Sequence, residues 1–204
     1  MTSLASGTSI AETVLSQRPA MRMAWYAFLA VSGTVLIALA AKTQVPFWPV
    51  PMTLQTLAIV VIAAAFGLRL AVATVLLYLA EGFFGLPVFA GAAAGPAYFA
   101  GPTAGFLAGF VVAAAIIGVA ADRGLSRNPF KLFGVMLVAD AILLAMGFVW
   151  LAFMFVSAKT GTTLGAETAL QVGILPFLPG ELVKLVLASC LLPALWQVVE
   201  RLRR

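Results

Sequence analysis

Apolar runs follow one another almost without pause from Ala24 to Val199, and this succession constrains the fold more than any other feature. A spanning helix needs about 20 apolar residues, and in hydrocarbon its backbone must satisfy its own hydrogen bonds. Six segments can be drawn: 24–41, 54–68, 70–84, 103–121, 132–158 and a last one from about Pro179 to Val199. The second is short for a straight crossing. Pro179 suits a first helical turn, where no backbone donor is needed. Hydrophobic residues make up 63% of the 204 and charged residues only 9%, against about 25% charged in soluble domains. The expected fold class is an all-α integral membrane protein with six transmembrane helices.

Residues 1–20 read as a polar tail, with a weakly amphipathic patch near Ile10–Leu15 that suits either a short surface helix or an unstructured stretch. Residues 21–204 read as one six-helix domain without a nameable repeat. Ala38-Leu39-Ala40 resembles a signal-peptide cleavage site, but the apolar run before it starts only at Ala24 and equally apolar segments follow. The first run is therefore read as a retained helix.

The basic residues sort by connection. Arg18, Arg22, Arg69, Arg123, Arg127, Lys131, Arg201, Arg203 and Arg204 fall on one side, Lys42 and Lys159 on the other, and Lys184 inside a segment. The positive-inside rule then puts both termini in the cytoplasm. The basic excess is an orientation signal, and no nucleic-acid partner is expected. The chain has no histidine, which removes Ser/His and Cys/His catalytic pairs and HExxH zinc sites. Its single cysteine, Cys190, excludes an intrachain disulfide and a multi-cysteine metal cluster. No cofactor and no catalytic residue are expected.

The outward connections TQVPFWPVPMT, GLPVFAGAAAGPAYFAGPT and KTGTTLGAETALQVGILPFLPG are rich in Gly, Pro and aromatics. One such loop reads as a turn; three on one face read as the walls and lid of a pocket. Ionisable residues beneath them are functional hypotheses by default. Glu181 and Lys184, three apart, share a helical face. They suit a structural ion pair, a snorkelling lysine with its neutralising acid, or a ligand site. Glu81, three residues after Tyr78, and Gln55 fall at the same depth on the same side. That convergence favours a site. Asp140 lies deeper in the fifth segment and is left out of it. In the first segment Ala30, Thr34 and Ala38 form a small-residue line that suits either internal packing or a protein partner.

Read in order, VPFWPVPMTLQTL (45–57), GLPVFAG (85–91), GPTAGF (101–106) and PFLPGELVK (176–184) resemble the BioY family, the biotin-specific subunits of energy-coupling factor transporters. The resemblance runs from about Gln44 to Lys184. It implies a six-helix, non-enzymatic substrate-binding subunit that works with a transmembrane coupling protein and two cytoplasmic ATPases. The chain's own Gly-rich stretch GPAYFAGPT lacks the lysine and spacing of a phosphate-binding loop. The resemblance also implies that Glu181 and Lys184 bind the ureido ring of biotin, one accepting from N–H and the other donating to C=O, with Gln55 and Tyr78 nearby. Glu81 departs from a commonly apolar or small position. Phe47, Trp48, Phe89 and Tyr98 are expected to cover the apolar ring and chain, and the loop GAAAGPAYFAG offers no cation to the ligand carboxylate. The small-residue line in the first helix resembles the surface such subunits present to the coupling protein. Two alternatives stay open: a binding subunit for another vitamin, and an intramembrane enzyme using Glu81, Asp140 or Glu181.

Overall fold

The computed structural model describes residues 9–11, 19–91, 94–158 and 160–202. Most of the 1–20 tail, and Arg18, Lys159, Arg203 and Arg204 of the charge pattern, lie outside these. The fold is helical: α1 (Pro19–Lys42), α2 (Gln55–Phe83), α3 (Ala104–Asp122), α4 (Pro129–Val149), α5 (Ala166–Gly173) and α6 (Leu178–Leu202). A two-residue ribbon, β1 (Gln44–Val45) with β2 (Met52–Thr53), joins α1 to α2. Among the described residues, five helices are long and apolar enough to cross a membrane by length and composition, with α2 counted whole across a break at Gly67.

Sequence reading drew two segments where α2 now stands, and the geometry reconciles the two. Gln55 and Tyr78 would lie about 34 Å apart on a straight helix at ~1.5 Å per residue, yet their side chains are hydrogen-bonded at 2.8 Å. The helix therefore doubles back on itself. The turn is at Gly67, whose φ of 77° and ψ of 176° are open only to glycine. Leu68, the first residue of the returning arm, has lost its helical acceptor, and its N–H donates instead to the Asp122 carboxylate at the end of α3 (3.1 Å). An exposed break in hydrocarbon would leave such groups bare; here a side chain from another helix satisfies one of them.

The core lies between the two arms of α2, α3, α4 and α6. Asn128 starts α4 by accepting from the N–H groups of Phe130 and Lys131 through its side chain, with Pro129 in the first turn. At its far end α4 runs into a π-helical turn, Trp150–Met154, where the Trp150 indole donates to the Gly101 carbonyl at 2.9 Å. The outward connection before α6, expected as loop throughout, contains the two-turn helix α5.

By contrast α1 packs mainly on α2. Met23, Phe28, Val31, Val35 and Leu39 are exposed along it, whereas Thr34, Ile37 and Ala41 are buried. The small-residue line is spent largely on packing within the chain: Thr34 is 2% exposed, and Ala30 and Ala38 are half-buried. Large apolar side chains, interspersed with Ala24, Ala27 and Ser32, cover the outward face of α1.

Candidate functional site

The site is assembled at the entrance of α2. Thr53 ends the ribbon, and its hydroxyl accepts from the Gln55 backbone N–H (3.2 Å), capping the helix start, while donating to Gln55 Oε1 (3.0 Å). Tyr78 donates to the Val88 carbonyl (3.1 Å), so its oxygen accepts from Gln55 Nε2 (2.8 Å). The chain Thr53 to Gln55 to Tyr78 to Val88 thus runs in one direction and fixes which way the Gln55 amide points.

The first turn of α6 faces it. Gly180 packs close to the ribbon, where a Cβ would sit 2.9 Å from Sδ of the flexible Met52 side chain. That approach brings the Thr53 carbonyl within 2.6 Å of Lys184 Nζ. Lys184 also donates to Glu181 Oε1 at 2.7 Å, and the Thr56 hydroxyl donates to the same oxygen at 3.3 Å. Both charged residues are only 5% exposed. Glu181 sits in the first turn, where the helix dipole favours an anion. The Asp140 carboxyl, from α4, comes within hydrogen-bonding range of Glu181.

Gln55, Thr56, Glu181 and Tyr98 line a cavity of about 500 Å³, open mouth included. Its remaining walls are mostly apolar, with Val50, Phe106, Phe110, Leu143 and Phe177 prominent. Such a mixture, an apolar shell with a few convergent polar groups, is what small-molecule sites use. Burial pushes the Tyr98 phenol above its ordinary range, so it stays a neutral hydroxyl.

Of the residues expected from sequence, Gln55, Tyr98 and Glu181 line the cavity, Lys184 stands behind Glu181 and Tyr78 behind Gln55. Phe89 is fully buried beneath Tyr98, stacked on it at 4.5 Å between ring centres and edge-on to Tyr78. It supports the wall instead of forming it. Phe47 reaches the rim through an edge contact with Phe177 (6.1 Å), and Trp48 is 57% exposed. Glu81 is turned to the other side of α2, where its carboxylate accepts from Thr34 Oγ1 at 3.0 Å. Thr53 and Thr56 were missed, although they flank Gln55 in the sequence as a polar cluster.

The arrangement is that of a multi-pass membrane protein with a small-molecule cavity at one end of its helices. The chain belongs to the BioY family: the family's sequence model matches residues 13–201. It is 34% identical over 160 residues to biotin transporter BioY2 of Lactococcus lactis, covering 77% of this chain and 82% of that one. It is 35% identical over 167 residues to biotin transporter BioY of Rhodobacter capsulatus, covering 77% and 85%. Among solved structures, the S-component for biotin from an ECF-type ABC transporter has the same fold, with a TM-score of 0.72 at 23% identity over 89% of this chain and 95% of that one.

Proposed function

We propose that this chain captures biotin at the outer face of a bacterial cytoplasmic membrane, as the substrate-binding subunit of an energy-coupling factor transporter. The observation that carries the reading is that Glu181, the acid of a buried ion pair, is itself a wall of the apolar cavity. A pair kept only for packing has no reason to front a cavity, and replacing it with apolar residues would often cost nothing.

Biotin's ureido ring carries two N–H donors and one carbonyl. Glu181 offers carboxylate oxygen to an N–H. Two of the three Lys184 donors are engaged by Glu181 and Thr53, and the third is left for the carbonyl, as is the second amide N–H of Gln55. The fused sulfur ring and the aliphatic chain suit Phe106, Phe110, Leu143 and Phe177. In this reading Phe47 and Trp48 close over the ligand from the rim.

Arg69, Arg123, Arg127 and Lys131 lie at the helix ends away from Gln55 and Glu181, and the contact of Arg127 with Trp196 brings the end of α6 to the same level. That end is cytoplasmic by the positive-inside rule, and there the subunit meets its coupling protein and two ATPases. The chain itself is not an enzyme. Equilibrium binding of radiolabelled biotin to the purified protein tests the reading. Saturable binding, displaced by unlabelled biotin but not by thiamine or riboflavin, is expected; displacement by one of those vitamins instead would reassign the ligand.

A further inference from the structure

Asp140 is 5% exposed, and its Oδ1 has no hydrogen-bond partner. The same holds for Glu181 Oε2. The two carboxyl groups lie in hydrogen-bonding range of one another where α4 packs on α6. Lys184 with Glu181 is the one ion pair within 4 Å among the described residues, so Asp140 has no cation in contact.

The other charged groups on neighbouring elements are engaged elsewhere. Asp122 of α3 is bound to Leu68 at the far end of its helix. Glu167 of α5 is exposed and accepts from Gln171. Arg127, in the turn before α4, covers the Trp196 ring at 4.4 Å, and Lys131 of α4 is exposed. Glu181 and Lys184 are therefore the charges that Asp140 meets.

Two carboxylates cannot face each other at this range as bare acceptors, because each presents only lone pairs and the like charges repel. We propose that Asp140 and Glu181 hold a single proton between them, and that Asp140 is a positioning residue for the ligand-binding carboxylate. With Lys184 they form a neutral unit of one ammonium, one carboxylate and one carboxylic acid, so no net charge is left in the apolar interior. The proton rests on Asp140. Glu181 already has Lys184 and Thr56 donating to Oε1, which stabilises its anion, whereas Asp140 has no comparable donor. The Asp140 hydroxyl then donates to Glu181 Oε2, fixes the rotation of that carboxylate, and leaves its second lone pair for an N–H arriving from the cavity. This role rests on the ligand reading above; the shared proton does not.

Infrared spectra of the ligand-free chain in lipid nanodiscs at neutral pH, wild type minus Asp140→Asn, test the proton directly. The carbonyl stretch of a carboxylic acid is expected in the wild type and absent from the variant; identical spectra in that region overturn the proposal. Biotin titrations test the positioning. Asp140→Asn keeps an N–H for Glu181 and should bind within about threefold of wild type, while Asp140→Leu should lose about tenfold or more. Wild-type affinity in Asp140→Leu, with thermal unfolding confirming that both variants are folded, overturns the positioning role. Failure of the wild type itself to bind biotin would count against the ligand reading, while the infrared difference still decides the proton.

Discussion

Glu81 and Glu181 lie at similar depth near the outer ends of their arms, and their surroundings are opposite. Glu181 is buried, held by an ammonium and a hydroxyl, and fronts a cavity. Glu81 is half-buried with a single threonine hydroxyl on it, between α1 and α2. A partly hydrated carboxylate needs little support, whereas a buried one needs a cation and further donors to offset its desolvation. The partner set, more than the presence of an acid in an apolar segment, separates a binding group from a packing group.

The contrast can be broken most forcefully at Lys184. Lys184→Ala strands the Glu181 carboxylate and should cost about 3–5 kcal/mol of stability, with biotin binding reduced by at least about a hundredfold; detergent-phase denaturation and radioligand binding read the two effects. The double variant Glu181→Leu, Lys184→Met should recover stability while binding stays lost. If binding returned with it, the pair would be structural and no different in kind from Glu81.

A smaller effect is expected from Gln55→Ala, which removes the donor to Tyr78 and one wall of the cavity. Affinity should fall about tenfold and stability by about 1–3 kcal/mol, measured in the same assays. Glu81→Gln should do least, because an amide can still accept from Thr34. Biotin affinity within about twofold and a stability change below about 1 kcal/mol are expected. A large loss of affinity there would erase the distinction.

Much of this architecture is legible in the sequence, because lipid solvation writes long apolar runs that periodicity cannot hide. Boundaries near Lys42 and Asp122 follow from the polar residues that end the apolar runs, whereas the segment drawn from Leu132 starts one turn earlier, at Pro129. The join of the second and third segments was harder to read. One glycine makes the turn, and the group that satisfies Leu68 comes from Asp122, 54 residues away. The first turn of α6 was readable as a polar cluster with Pro179 ahead of it, and the structure does bring Gln55, Glu181 and Lys184 together. Depth alone could not say which face Glu81 takes. Phe89 looked like a lid aromatic, but Tyr78, Tyr98 and Phe99 draw its ring into the core. Asp140 was visible as an anomaly, yet its partner lies on another helix, and a single sequence does not record such pairings.

The doubled-back α2 also works as a ruler. Gln55 stands twelve positions before Gly67 and Tyr78 eleven after it, so the arms are matched at about 18 and 16 Å by helical rise. Deleting one residue from either arm would shift its polar tip by ~1.5 Å and swing it by about 100°. The Gln55–Tyr78 bond would part, and the cavity wall with it, although every apolar run would still be long enough to sit in the bilayer. Chain length between Gln55 and Tyr78 is therefore constrained by the ligand site and not by the membrane, and engineered insertions are better placed in the connections than in these arms.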